Sequence, residues 1–310
     1  MSMLSKIDRF TGHMYMQGDF KKVNISPSQT ALNNQIWFIK YPLANYLRFK
    51  PEQPSIAFKT GTFVHKSYQD ILIGKMKIAD VEPAYKKILE SHKFSEKEQA
   101  KGNFLLERIK KYVENHLQML MEISGSYMKD WQVEKAFYDW YDDEYIGQKL
   151  EIINEGSIDS YNSKLKIFTE HKNRFGSVYL GKKGTYLYRK PTKIKTPQFT
   201  HLIAVAVYFQ HFEKKYQPAL IYVDEDGAML FNAQNCEDLT PKGLEYYFHK
   251  FIQINIQRQQ MLRMAEGDIR KLACMIGIDW SDLRHKDSNI FLSHMQEEDV
   301  KKIEEFYNEL

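Results

Sequence analysis

The sequence predicts an α/β fold in which an α-rich N-terminal part and a helical C-terminal extension enclose a mixed central sheet flanked by helices. Three observations predict it. Residues 83 to 126 keep a helical period rich in Lys and Glu, short aromatic and partly alternating segments begin at Trp131, and helical patterning returns after Pro241.

The elements follow in order. Ser26 is suited to cap a helix whose first position is Pro27 and which runs towards Trp37. After a Pro-containing loop, Gly61-Thr62-Phe63-Val64-His65 opens a second amphipathic helix to about Ile73. Trp131 to Tyr138 reads as a strand. Leu150 to Ile153, Gly156 to Tyr161 and Leu165 to Glu170 read as successive strands of one meander, separated by Asn-Glu-Gly and Tyr-Asn-Ser turn chemistry. Leu202 to Phe212 is a continuous apolar helix, Ala219 to Val223 and Ala228 to Phe231 flank the hairpin signal Asp224-Glu225-Asp226-Gly227, and a break is expected near Gly277. The chain divides into a tail (1–24), a unit of helical (25–130) and sheet (131–240) parts, and the extension 241–310.

Composition bounds the function. Of 310 residues, 43% are hydrophobic and 27% charged, an ordinary globular balance, and no apolar run approaches the length of about 18 residues that suggests a membrane span. The first residues carry charges throughout rather than a secretory pattern, so a cytoplasmic protein without a membrane partner is expected. Cys236 and Cys274 are too few for a disulfide framework or a four-cysteine metal site. A net charge of +4 suits a polyanionic partner without requiring one.

The chemistry centres on the meander. Asp159 lies near the middle of one strand and Glu170-His171-Lys172 at the end of the next. Residues two apart in a strand share a face, so Glu170 and Lys172 point one way and His171 the other. Two neighbouring carboxylates repel unless a divalent cation favours both ionised forms, which makes Asp159 and Glu170 candidate ligands for Mg²⁺ or Mn²⁺. Lys172 is then available to orient the attacking water, deprotonate it, or stabilise an oxyanion. A second Glu-x-Lys at Glu213 follows a helix with no Asp strand ahead of it and reads as a solvated helix end. The bland alternative for Glu170 is an ordinary charged strand end.

The order of these motifs resembles the PD-(D/E)xK nuclease superfamily, in the branch of the RecB nuclease domain, lambda-type phage exonucleases and CRISPR-associated adaptation nucleases. Gly61-Thr62-Phe63-Val64-His65 is similar to that branch's Gly-Thr-x-x-His helix, Gly156-Ser157-Ile158-Asp159 to its Gly-x-Ile-Asp strand, and Glu170-His171-Lys172 to its catalytic Glu-x-Lys. The resemblance implies a restriction-endonuclease-like core, catalytic roles for Asp159, Glu170, Lys172 and Glu134, and a metal held by His65, Asp159 and Glu170. Asp130, Asp139 and Asp142 compete with Glu134 for the upstream acid. Gln198 and Tyr208 resemble the Gln and Tyr of the following helix, where they support the site and touch DNA, although the 173–196 segment before them is longer than usual; a Tyr within an apolar helix is equally a core residue.

Iron-sulfur members carry a cysteine before the N-terminal proline and three more after the core; here Tyr41 precedes Pro42, so no cluster is expected. The implied activity is metal-dependent DNA exonuclease, in phage or bacterial recombination, repair or genome processing. The alternatives are an endonuclease of the same fold or a catalytically inactive nucleic-acid-binding protein. Implied partners are double-stranded DNA ends or a single strand, and a single-strand-annealing or single-strand-binding protein. The densest basic and aromatic stretch, with Lys182, Lys183, Arg189, Lys190, Lys193 and Lys195 interleaved with Tyr179, Tyr186 and Tyr188, reads either as a hairpin touching the substrate strand or as a solvated surface hairpin.

Overall fold

A computed structural model describes residues 26–49, 55–139, 141–143, 148–150, 154–278 and 295–310. The predicted tail, 1–24, lies outside the described residues. Where the sequence predicts one helix from Pro27 towards Trp37, the chain makes two, α1 (Pro27–Thr30) and α2 (Asn34–Phe38). Ser26 caps the first, but Asn33 accepts from the Ile36 N–H at 2.8 Å and so starts a new helix. A π-helical turn, Ile39–Leu43, carries Pro42 into α3 (Ala44–Tyr46). The next helix, α4 (Ile56–Leu72), begins earlier than predicted because Ser55 caps it, so Gly61 and His65 lie inside the helix. The helical stretch beyond is three helices: α5 (Val81–Ser91), α6 (Glu96–Leu106) and α7 (Ile109–Ser124).

The strands are β1 (Trp131–Asp139), the short pair β2 (Asp142–Asp143) and β3 (Gln148–Lys149), then β4 (Asn154–Asn162), β5 (Ile167–Asn173), β6 (Ser177–Leu180) and β7 (Tyr186–Arg189). After α8 (Phe199–His211) come β8 (Gln217–Asp224) and β9 (Gly227–Phe231), then α9 (Pro241–Ala265), α10 (Ile269–Ile276) and α11 (Glu297–Asn308). Of the strand predicted over Leu150 to Ile153, residues 151–153 lie outside the described residues, and Leu150 is not in a strand but sealed in the core. The predicted break near Gly277 is a helix end: Gly277 follows α10 with φ of 64°, where glycine is unstrained.

The main sheet has the order β1-β4-β5-β8-β9. Its neighbours are antiparallel except β5 and β8, which are parallel and so need the long crossover supplied by β6, β7 and α8. The β8 strand is buried on both faces, as a central parallel strand must be. Leu220 and Tyr222 join one core with α8, α9 and the N-terminal helices, while Ile221 and Val223 join a second core with α4, α5 and α7. The fold is therefore α/β, a mixed five-stranded sheet with helices on both faces. Among the described residues no helix is long and apolar enough to cross a membrane.

A buried arginine joins the first helices to α9. The Arg258 guanidinium donates to the carbonyls of Gln29 at 3.1 Å and Leu32 at 2.6 Å and to the Asn34 side chain at 3.1 Å, and it lies over the Trp37 ring. Three acceptors compensate most of the cost of burying its charge.

Candidate active site

The sheet ladder opens at Asp159. Between β4 and β5 the pairing runs Asn162 with Ile167, Tyr161 with Phe168 and Ser160 with Thr169, and stops there. Continued by one step it would set Asp159 against Glu170. Instead, the Asp159 carboxylate accepts the His171 backbone N–H at 2.7 Å, a side-chain bond replacing one of the ladder. On the other side of β4, Val133 pairs with Ser160 and Lys135 with Ile158, so Glu134 stands opposite Asp159. Glu134 has φ of 53°, a left-handed backbone that costs an L-residue roughly 1–2 kcal/mol. Among the described residues it is the one non-glycine position inside a strand with such a backbone, and the β1–β4 pairing skips it.

Helix α4 docks over the same point. His65 and Gln69, one turn apart on one helical face, both reach Asp159: His65 Nδ1 lies 3.5 Å from a carboxylate oxygen, and Gln69 donates to the backbone carbonyl at 3.1 Å. Burial pushes the Asp159 carboxyl up, but the adjacent His65, and then Lys172, outweigh it and hold the group well below the usual carboxylate range. Glu170 goes the other way. It is 3% exposed, and burial, opposed by Lys172 and reinforced by Asp159, pushes it up to about 7. The Lys172 ammonium pairs with one Glu170 oxygen. Burial pulls that ammonium down, while Glu170 and Asp159 more than compensate and hold it protonated. The other Glu170 oxygen, Oε2, is buried with no hydrogen-bond partner among the described residues.

Behind the carboxylates runs a buried polar chain. His171 points away from Glu170 and Lys172, as its place in the strand predicts, and its Nδ1 is 2.7 Å from Nδ1 of His116 on α7. His116 Nε2 meets Asn173 Oδ1 at 2.8 Å, and His171 Nε2 meets the Thr169 hydroxyl at 2.9 Å. Thr169 in turn bonds the Ser160 hydroxyl. If Asn173 accepts, each tautomer follows: His116 carries its proton on Nε2, His171 on Nδ1, and Thr169 donates to His171. Tyr68 of α4 stacks on His116 at 4.7 Å. Burial drives His171 down to about 3 and His116 well below the usual histidine range, so both are neutral.

The remaining predicted residues are distributed. Gln198 sits at the cap of α8, and its backbone N–H donates to the Tyr222 hydroxyl at 3.0 Å; Tyr222 is the partner of Lys172 across β5 and β8. Tyr208 lies in the core with its ring edge-on to Phe137 and Phe168. Arg189 and Lys190 belong to the β6–β7 hairpin, where Arg189 covers the Tyr179 ring and Lys190 pairs with Asp226 at 2.6 Å. Of the acids competing with Glu134, Asp130 is paired with Lys164 at 2.9 Å and Asp139 with His211 at 2.8 Å. Asp142 falls where no side chain is described. The second Glu-x-Lys, at Glu213, is exposed and paired with Lys215.

Sequence reasoning missed Gln69, Tyr68, His116, His201 and Tyr222. His201 Nδ1 lies 2.7 Å from the Tyr222 hydroxyl. Burial, then Lys172, lowers His201 to about 3, so its ring is neutral beside the Tyr222 hydroxyl. A readable signal existed for His116: in α7 it shares the buried face with Tyr112, Val113 and Leu120, and a polar group at a core position needs a partner.

Among the described residues no three His, Cys, Asp or Glu side chains form one metal-binding group. The donor chemistry nevertheless fits a hard cation: an ionised aspartate, a facing imidazole and a buried carboxylate oxygen without a partner. No protein-family model and no curated protein matches the chain. A structural likeness exists to the protein of the "Crystal structure of SSO0001", at 15% identity and a TM-score of 0.26 over 58% of this chain and 87% of that one, too slight to bear on fold or function.

Proposed function

We propose that this chain is a nuclease of the PD-(D/E)xK type that hydrolyses DNA phosphodiesters with Mg²⁺ or Mn²⁺, on a restriction-endonuclease-like core. The observation that carries this reading is the opening of the β4–β5 ladder at Asp159. There Glu170 keeps one oxygen on Lys172 and a second, buried oxygen without a partner among the described residues. An ordinary charged strand end would be solvated, and a structural ion pair would satisfy both oxygens.

Asp159, Glu170 and His65 are the residues that would hold the cation. When bound, it lowers the pKa of a water and neutralises charge on the scissile phosphate. Lys172, kept protonated by its two acidic neighbours, supplies positive charge to phosphoryl oxygens rather than acting as a base. His171 holds Asp159 through its backbone, and Gln69 holds the same residue from the helix side. Glu134, which stands opposite Asp159 in the β1–β4 register, is the further acid of the proposed site. End-processing is the favoured mode, with an exonuclease acting on DNA in the cytoplasm.

The test is cleavage of end-labelled linear DNA beside closed circles, with Mg²⁺, Mn²⁺ or EDTA, comparing wild type with Asp159→Ala and Lys172→Ala. Metal-dependent loss of linear DNA alone, abolished by both substitutions, is the expected result. Nicked circles would make the enzyme an endonuclease, and intact DNA under every condition would overturn the reading.

A further inference from the structure

Between Glu170 and Glu213 the chain has no Asp or Glu but eight Lys and Arg, whereas the whole sequence is nearly balanced at 44 basic and 40 acidic residues. This acid-free span leaves the strand of Glu170 and Lys172, forms the β6–β7 hairpin, and returns to the cap of α8 beside Tyr222. Both ends of the hairpin segment are thus tied to the candidate site.

The hairpin has two unlike faces. Its register pairs Ser177 with Arg189 and Tyr179 with Leu187, and alternates these with Val178–Tyr188 and Leu180–Tyr186. The second set turns inward where it meets α6: Val178 is buried, and Tyr188 stacks on Phe104 and donates to Glu225 at 2.6 Å, while Leu180, next to the turn, is 60% exposed. Arg108 braces the same contact, with its guanidinium over Tyr188 and Nε 3.2 Å from Glu225. The first set turns outward, with Tyr179 at 42% and Leu187 at 44% exposure and Arg189 lying 5.1 Å above the Tyr179 ring. The turn is Gly181-Lys182-Lys183-Gly184, closed by the Gly184 N–H on Gly181 O at 3.0 Å; Gly184 has φ of 76°, which puts two exposed lysines at the tip. Lys190 is neutralised at the base by Asp226 and Glu225, so the uncompensated charge lies towards the tip and along the outward face.

We propose that this outward face is a platform for single-stranded nucleic acid, on which unpaired bases lie against Tyr179 and Leu187 while Lys182, Lys183 and Arg189 take the phosphates. An exposed apolar residue alone needs no explanation. A rigidly braced aromatic and aliphatic pair, rimmed by cations, matches an unpaired strand, because a duplex hides its base faces except at its ends. The inference deepens the nuclease reading by naming the form of substrate led towards Lys172, and rests on it for that purpose alone.

Binding of a labelled oligothymidine by the full chain in EDTA tests it, beside closed duplex circles. Tyr179→Ala with Leu187→Ala is expected to weaken oligothymidine binding by about fivefold to a hundredfold and to leave the circles almost unaffected. Lys182→Gln with Lys183→Gln should reduce the slope of log affinity against log salt by about 1.4. All four side chains are exposed, so melting temperatures should stay near wild type. Unchanged oligothymidine affinity in both double variants, or an equal loss on closed circles, would overturn the proposal. The two readings fail separately: hairpin-dependent binding without any cleavage in Mn²⁺ removes the nuclease, and cleavage with hairpin-independent binding removes the platform.

Discussion

One carboxylate oxygen of Asp159 accepts the backbone N–H of His171 at 2.7 Å, where a sheet would normally use a carbonyl. The residue read as a metal ligand is thereby also part of the fold, and the two duties can be separated. Asp159→Asn keeps an oxygen for that N–H, whereas Asp159→Ala leaves the donor without a partner. Denaturant unfolding should show the alanine variant less stable by about 1–3 kcal/mol and the asparagine variant close to wild type. Cleavage should fall at least about a hundredfold in both. Equal stability of the two variants would remove the structural half of this account.

Glu134 supplies the opposite case, a residue whose backbone works against it. Glycine at that position relieves the left-handed strain, so Glu134→Gly should raise the unfolding free energy by roughly 1 kcal/mol while lowering cleavage. Glu134→Ala separates the effects, since it removes the carboxylate and keeps the strain. If glycine gains nothing over alanine in a thermal melt, the strain is not stored there.

The histidine pair behind the site is all or nothing. His116→Phe leaves the His171 ring nitrogen and the Asn173 oxygen without their partner and should cost about 2–4 kcal/mol in a urea titration. His116→Gln restores one of those bonds and should cost visibly less. Cleavage should follow the same order through turnover rather than substrate affinity, because the pair supports Asp159 through the His171 backbone and packs behind His65 rather than facing a substrate.

The pH dependence has two opposing sources. His171, His116 and His201 have depressed folded-state values, so their contribution is full above 6.5 and is lost as pH falls, towards about 3 for His171 and His201. Glu170 is raised from 4.5 to about 7, so its contribution is full below 4.5 and is lost as pH rises through about 7. Three groups against one predict stability that increases from pH 4.5 to 6.5. Glu170→Gln removes the opposing group and should steepen that increase, by at most about 1.4 kcal/mol per pH unit. A slope unchanged by the substitution would mean that Glu170 does not titrate in this range.

The sheet and the acid-x-lysine pair were legible because both are local signals. Alternation and turn residues mark strands, and Asp159, Glu170 and Lys172 lie within fourteen residues of one another along two consecutive strands. Helix starts were less legible. Ser55 and Asn33 each cap a helix through one side-chain oxygen, and in sequence such residues mark turns as readily as helix starts. The buried chain of His116, His171 and Thr169 was illegible as a network, since its members meet only when α7 crosses the sheet, though His116 betrayed itself by its helical face. Tyr222 was not legible because it comes from a strand 50 residues beyond Lys172, whereas Tyr208 is buried with its hydroxyl pKa raised by burial and then by Glu170 and Asp159.

Arg258 binds groups 224 to 229 residues before it, and Trp37 beneath it is almost wholly covered. On a ribosome, that timing matters. The first helices leave the exit tunnel long before the arginine that neutralises their carbonyls has been made, and at about 5–20 residues per second the wait is on the order of ten seconds or more. Throughout that interval Trp37, Phe38 and Leu43 have no α9 to rest on. The nascent chain therefore carries an uncovered apolar segment through most of its synthesis, which makes its early helices natural clients for a holding chaperone.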